Sequence, residues 1–372
     1  MSDLETLLAP LLDSAPDPAP LAVVSARASS IRRRRRVRVG VLGVLAVAAA
    51  AGGIAAALPR DTNGVSTVGP PPVATAPPSL TIGSPRPLPV GAMDVVSAYG
   101  SIWVTQADQV ARLDPVNGVV VARIRVPGLS DFRNVTAGAG SIWVDDTGTE
   151  AVTRIDPMTN RVTATISMHG SEFDPDGIAF LGGRLWVVRP VPNDVSRGDV
   201  VVIDPATNRI AHQVRIPRTF DVLAGSDALW YVADSMSGRG QLVRLDPRTL
   251  QTKVVRRNVT ALVAIADGGI WLETDRGVIE IDEHTGAQLG GVIPVGRVVN
   301  ATAAVADGVL WLAWQPDSDS PGSVTPYDAV THRALSKPVP VGLPILTVTM
   351  TRGAVWVAVY SQDGLTRIPF SH

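Results

Sequence analysis

The chain has 372 residues, a formal net charge of −1, no cysteine and 18% charged residues. The near-neutral balance excludes a nucleic-acid binder held by a basic surface. The missing cysteines exclude disulfides, a thiolate metal site and a cysteine nucleophile. Hydrophobic residues make up 45% and aromatics only 5%, so a core must come mainly from Val, Ala, Ile and Leu. All basic residues but Lys253 and Lys337 are Arg, a usage that fits a high-GC bacterial genome.

The chain opens on Ser2-Asp3-Leu4-Glu5, a capping-box pattern. Leu4, Leu7, Leu8, Leu11 and Leu12 then fall on one helical face, which Pro10 interrupts. Asp3, Glu5 and Asp13 make the opposite side acidic, which disfavours an anionic membrane surface. A cytoplasmic protein partner at residues 2–30 is one reading and a disordered tail is the other. Arg32 to Arg36 and Arg38 precede Val39 to Leu58, a stretch without a charge. About twenty residues at ~1.5 Å each span roughly 30 Å, one bilayer core. The Arg cluster stays cytoplasmic. Residues 1–38 are therefore expected inside, 39–58 as a transmembrane helix, and the rest outside the cell membrane. A cleaved signal peptide ending near Ala55-Ala56-Ala57 is the rival, although its charged region would be too long. Residues 59–78, with Gly69-Pro70-Pro71-Pro72 and Ala76-Pro77-Pro78, form an extended linker. In layout, residues 1–60 are similar to membrane proteins that accompany extracytoplasmic-function sigma factors. The His and Cys zinc pattern of many such proteins is absent.

Residues 79–372 are dominated by a repeat. Trp103, Trp143, Trp186, Trp230, Trp271, Trp311 and Trp356 are separated by 40, 43, 44, 41, 40 and 45 residues. A self-similar period of this size marks a β-propeller, one blade per repeat. A Gly lies three residues before each Trp except in the fourth repeat, where Asp227 replaces it. Aliphatic residues precede each Trp directly and again, with Ala303 in the sixth, eight residues earlier. This reads as strand, Gly turn, strand. A second anchor follows: Asp114-Pro115, Asp156-Pro157, Asp204-Pro205 and Asp246-Pro247, decaying to Asp282-Glu283 and Asp328-Ala329. Asp then Pro then a short polar residue is type I turn chemistry, so these aspartates are predicted to cap hairpins between third and fourth strands. The last repeat has three strands and no fourth. The segment from Leu80-Thr81-Ile82 to Leu88-Pro89-Val90-Gly91 ends like the fourth strands at Val295-Gly296 and Val341-Gly342. It is expected to complete the last blade and so remove an open edge. The fold class predicted is all-β: a seven-bladed propeller of four-stranded blades after one N-terminal transmembrane helix.

Gly140 to Ile166, with Gly-Ser-Ile-Trp-Val and Val-Thr-Arg-Ile-Asp-Pro-Met-Thr-Asn-Arg-Val, resembles a YVTN-type repeat, as does Val200 to Ile210. The resemblance covers about residues 80–370. It implies a surface-layer or periplasmic propeller that binds or scaffolds, with no universal active site. Asp176-Gly177-Ile178-Ala179 through Leu185-Trp186-Val187 also looks like repeats of streptogramin lyases, which implies a seven-bladed enzyme with a His base and metal-binding carboxylates. Of the internal histidines, only His169, near Glu172 and Asp174, can reach a rim loop. His284 and His332 are expected to face solvent in turns, and His212 lies in an outer strand.

Propeller ligands sit where first strands begin. The polar residues expected there are Asp94, Arg133, Asn134, Asp145, Asp146, Asp176, Arg189, Asp221 and Glu273, together with Trp314, the eighth Trp, which breaks the repeat. Aromatics with converging charges suit a sugar or peptide; a water-filled polar mouth is the plainer reading. Asp174-Asp176 and Asp317-Asp319 lack the rest of a calcium loop and read as solvated turns. Asn134, Asn258 and Asn300 begin Asn-x-Thr triplets and read as strand starts. No catalytic residue, metal or cofactor is assigned. The expected function is a membrane-anchored binding, sensing or scaffold propeller, with an unknown protein or envelope carbohydrate at its rim. A lyase or hydrolase is the alternative.

Overall fold

The computed structural model describes residues 80–126, 134–146, 150–168, 177–191, 194–219, 221–233, 240–295, 300–317, 320–342, 344–360 and 364–371. A unit comprising Met1–Arg38 falls wholly outside them, as do the expected span at 39–58 and the linker at 59–78. No helix among the described residues is long and apolar enough to cross a membrane.

The described chain forms 29 strands. Two short ones come first, β1 (Thr81–Ile82) and β2 (Arg86–Leu88). Blade 1 holds β3 (Asp94–Ala98), β4 (Ser101–Thr105), β5 (Gln109–Leu113) and β6 (Val120–Arg125). Blade 2 holds β7 (Val135–Gly138), β8 (Ser141–Asp146), β9 (Ala151–Asp156) and β10 (Arg161–Ser167). Blade 3 holds β11 (Gly177–Leu181), β12 (Arg184–Val191), β13 (Asp194–Asp204) and β14 (Arg209–Pro217). Blade 4 holds β15 (Leu223–Ala224), β16 (Leu229–Ala233), β17 (Gly240–Leu245) and β18 (Thr252–Val259). Blade 5 holds β19 (Ala261–Ala266), β20 (Gly269–Thr274), β21 (Gly277–Asp282) and β22 (Gln288–Ile293). Blade 6 holds β23 (Asn300–Ala306), β24 (Val309–Gln315), β25 (Gly322–Asp328) and β26 (Val339–Gly342). Blade 7 holds β27 (Ile345–Thr351), β28 (Ala354–Val359) and β29 (Leu365–Ser371).

Every strand pair is antiparallel, and the first strand of each blade touches the first strand of the next, with β27 returning to β3. The first strands therefore form a closed ring, in which each pairs only with the second strand of its own blade and keeps a short inner edge. Blade 7 is completed from the N-terminal side. Thr81 and Ile82 pair with Ser371 and Phe370, and Arg86, Pro87 and Leu88 pair with Arg367, Thr366 and Leu365. The orphan segment thus fills the place its sequence predicts.

Local chemistry explains each blade's two hairpins on the turn face. Between first and second strands, Tyr99-Gly100, Ala139-Gly140, Asp267-Gly268 and Asp307-Gly308 all have positive φ at both residues. That is the twist-matched two-residue turn, and it accounts for the Gly three residues before Trp. Between third and fourth strands, Asp114, Asp246, Asp282 and Asp328 each accept two backbone N–H groups from the turn they begin. Turn hydrogen bonds of this kind hold the carboxyls of Asp156, Asp246, Asp282 and Asp328 below their ordinary value; at Asp204 Arg184 is the main cause and the turn N–H groups add to it. The Asp anchors are turn caps.

All seven repeated tryptophans are buried between blades. Trp103, with Val96 and Ala98 of blade 1, packs on Val135, Ala137, Ile142 and Val144 of blade 2. The same division recurs around the ring, so each blade presents its Trp to the next. Arg112 and Arg154 lie over Trp103 and Trp143, 5.2 and 4.9 Å from the ring centroids. Arg112 Nη1 donates to Pro157 O and Asn160 Oδ1 of blade 2 at 2.7 and 3.0 Å. Arg154 repeats this onto Pro205 O and Asn208 Oδ1 of blade 3 at 2.7 and 2.9 Å. The Asp-Pro-x-Thr-Asn turn is therefore also the socket of an inter-blade latch.

Two sequence expectations need correction. His332 does not face solvent: it is 8% exposed, its ring is 4.8 Å from that of Trp271, and its nitrogens meet Gly291 O and Glu280 Oε2. Its backbone, at φ 57, takes the left-handed conformation of Asn160 and Asn208, whose latch position it occupies. Asn258 is not a strand start. It lies next to the end of β18 at φ 59, whereas Asn300 opens β23 and Asn134 directly precedes β7.

Candidate functional site

First strands run from the mouth toward the turn face, so the mouth gathers the starts of first strands and the ends of second strands. The position nine residues before each Trp gathers Asp94, Asn134, Gly177, Asp221, Thr302 and Thr347 there; in blade 5 a register shift turns Leu262 into the core and sets Ala261 opposite Glu273 instead. Gly177 fits the ring because the next blade comes close; a Cβ there would lie 3.0 Å from Asp221 Cα. Second strands end nearby in Thr105, Asp145, Arg189, Glu273 and Gln315, all buried.

Most of the expected site residues are engaged in holding this ring together. Asp94 Oδ1 accepts the N–H of Val95 and Oδ2 that of Val135 in blade 2, both at 2.7 Å. Those bonds favour the ionised carboxylate, but burial outweighs them and pushes Asp94 up to about 8, with Asp145 nearby adding to the rise. Asp145 accepts both the backbone and the side-chain N–H of Asn134, at 2.6 and 2.7 Å. Asp221 accepts Val222 N–H at 2.6 Å. Arg189 donates from Nη1 to Met168 O of blade 2 and lies 3.8 Å from Asp199. Asp199 also binds Arg215 and Gln213, both at 2.7 Å. Arg133, Asp176 and the Asp146 side chain lie outside the described residues, as do His169, Glu172 and Asp174.

Glu273 differs. It is 6% exposed, and among the described residues nothing donates to its carboxylate. Burial alone pushes it up to about 7. Trp314 is half-buried against the apolar cluster between blades 5 and 6, and its indole N–H is buried without a partner among the described residues. Asp317, at the mouth of blade 6, caps its own turn through Ser320 N and Oγ at 2.6 and 2.7 Å. Among the described residues no group of three or more His, Asp or Glu is placed to hold a metal ion.

Buried polar residues that sequence did not single out include Asp199, Thr302 and Thr347. The threonines share Asp94's repeat position, a signal available by aligning blades. Asp199 carried none, since it opens an apolar run, Val200 to Ile203.

No family model matches the chain, and no curated protein matches it either. Solved structures do match. A structure of U3-55K superposes with a TM-score of 0.58 at 12% identity, covering 79% of this chain and 100% of that one. The RRP9 WD40 repeats give 0.57 at 12%, covering 80% and 99%. The extracellular domain of the putative hybrid two component system BT4673 from B. thetaiotaomicron gives 0.56 at 12%, covering 80% of this chain and 43% of that one. At these identities the likeness is one of fold.

Proposed function

We propose that this protein is a membrane-anchored, extracytoplasmic binding propeller that presents its acidic mouth away from the bilayer. The observation that carries the reading is where the chain joins the ring. β1 pairs with the last residues of β29, on the turn face, and β2 with its first residues, on the mouth side. On this reading the membrane lies on the turn-face side, and the carboxylates Asp94, Asp145, Asp221 and Glu273 lie at the opposite end. The Arg run before the span supports a cytoplasmic N-terminus. The leucine-faced tail at residues 2–30 then meets a cytoplasmic protein, so that ligand at the mouth is relayed inward. The YVTN-type repeats and the likeness to a sensor's extracellular domain agree with this reading at the level of fold.

The chain has no cysteine, so single thiols report topology cleanly. In intact cells, Val116→Cys, on the turn face and 74% exposed, should react with an impermeant maleimide, and Ser2→Cys only after permeabilisation. Equal labelling of both in intact cells would remove the topology. Crosslinking full-length protein and a version lacking residues 2–30 in native membranes then tests the relay: a cytoplasmic partner lost with the tail supports it, and unchanged partners overturn it.

A further inference from the structure

We propose that the mouth side of the seam between blades 5 and 6 binds a small zwitterion of the free amino-acid class. Glu273 takes its ammonium group and the Trp314 indole N–H takes its carboxylate. This rests on the reading of the propeller as a binding module and adds the place and the ligand chemistry.

Glu273 and Trp314 line opposite walls of one seam. Glu273 is two residues past Trp271 on β20, so both project from the same face. Its cross-strand neighbour is Val278, and both Trp271 and Val278 belong to the cluster between blades 5 and 6. Trp314 pairs across β23–β24 with Ala301, a member of the same cluster, and packs against that cluster itself. Each residue is next to last in its second strand, at the mouth. The next residue, Gln315, is already committed: it donates to Asp317 O and accepts from Ile345 N.

Buried polar groups are almost always hydrogen-bonded, so a buried unpartnered indole N–H in the same seam as a carboxylate that nothing donates to calls for an explanation. Their needs are complementary. A carboxylate with no donor nearby requires donors, best from a cation. An indole N–H can only donate and requires an acceptor. The indole face attracts an ammonium group as well. One small molecule with both charges satisfies both walls. Glu273 keeps some exposure and the Trp314 ring is half-buried, so the seam is open toward the mouth.

The test uses the full chain solubilised in detergent. The twenty common amino acids are screened singly by thermal shift. The best is titrated calorimetrically beside its amide, which lacks the anion, and its N-acetyl form, which lacks the cation. The expected result is one site per chain, at least tenfold weaker binding for either half-molecule, and at least tenfold weaker binding for Glu273→Gln and for Trp314→Phe, with both variants folded. No shift with any amino acid, or binding indifferent to both substitutions, overturns the proposal. So does a crystal structure grown with 10 mM of the best amino acid that shows only ordered water on Glu273 and Trp314. Partner crosslinking in membranes is read separately. If it survives while no amino acid binds, the zwitterion site fails and the binding module stands; if amino acids bind and no partner is captured, the relay fails and the site stands.

Discussion

His332 Nε2 lies 2.9 Å from Glu280 Oε2 across the seam between blades 5 and 6, where earlier blades place Asn opposite Arg. Glu280 pairs with Trp271 as Arg112 pairs with Trp103, and His332 follows Asp328 by four residues as Asn160 follows Asp156. The latch has been rebuilt with its donor and acceptor exchanged. Both ring nitrogens face acceptors, so a doubly protonated ring satisfies both and a neutral one only one. His332→Ala should cost about 2 kcal/mol, the loss of a charge-assisted hydrogen bond. The pair Glu280→Arg with His332→Asn restores the earlier latch and should recover more than half of that in urea denaturation. Equal instability of the single and double variants would deny the equivalence of the two latches.

Glu283 offers a second test of compensation. It stands where other turns have Pro, and its Oε1 accepts Ser226 N at 2.8 Å and Trp230 Nε1 at 3.2 Å in blade 4. In blades 1 to 3 that indole bonds a carbonyl of its own blade. Blade 4 is also the repeat whose turn glycine is Asp227. Glu283→Ala leaves the buried Trp230 indole N–H unmatched, with the Ser226 N–H left to water, and should cost about 2 kcal/mol, with altered Trp230 fluorescence. Asp246→Ala should cost less, because that cap is exposed to water. A reversed order in denaturation would count against the bridge.

The carboxylates set a pH profile. Glu273 and Asp94 are raised to about 7 and about 8 by burial. Each is protonated in the folded chain where the unfolded chain is ionised, so the folded state holds more protons between pH ~4 and ~8. Their contribution is full below pH ~4 and is lost as pH rises toward 8. The turn aspartates act oppositely: with lowered values, they stabilise above pH ~4 and lose that as pH falls. Stability should therefore peak in weak acid, near pH ~5, and Glu273→Gln should flatten the decline on the alkaline side. A melting temperature that rises steadily from pH 5 to 8 would contradict this.

The closing segment should be indispensable. Leu88 is buried against Trp356, Leu365 and Ala354. It also fills the space over Gly118, where a Cβ would come within 2.8 Å of Leu88 Cδ1. Leu88→Ala should cost about 2–4 kcal/mol. Removing residues 79–91 should unfold the whole ring in one transition. A truncated chain that melts like its parent would show that blade 7 stands without it.

The propeller was legible because its determinants are periodic: a Trp in every blade, a Gly turn in all but the fourth and an Asp cap in all but the seventh. Closure was legible too, from a missing fourth strand and a matching Val-Gly ending. The mouth was only partly so. Spacing placed Asp94, Asp145, Asp221 and Glu273 at one end, but could not say which were consumed by neighbouring N–H groups. That depends on register between blades, which are distant in sequence. Trp314 broke the period yet packs against the seam between blades 5 and 6 rather than standing free. His332 misled because its neighbours in sequence describe an exposed turn, while its burial comes from Gly291 and Glu280 some forty to fifty residues away.

The antiparallel seating of β1 beside the end of β29 has a mechanical consequence. Tension arriving through the residues before Leu80 from the turn face runs along the strands, so the Thr81–Ser371, Ile82–Phe370 and Arg86–Leu88 pairings share it as a shear load. Blade 7 is where such a load enters the ring, because the N-terminal chain supplies its outer strand.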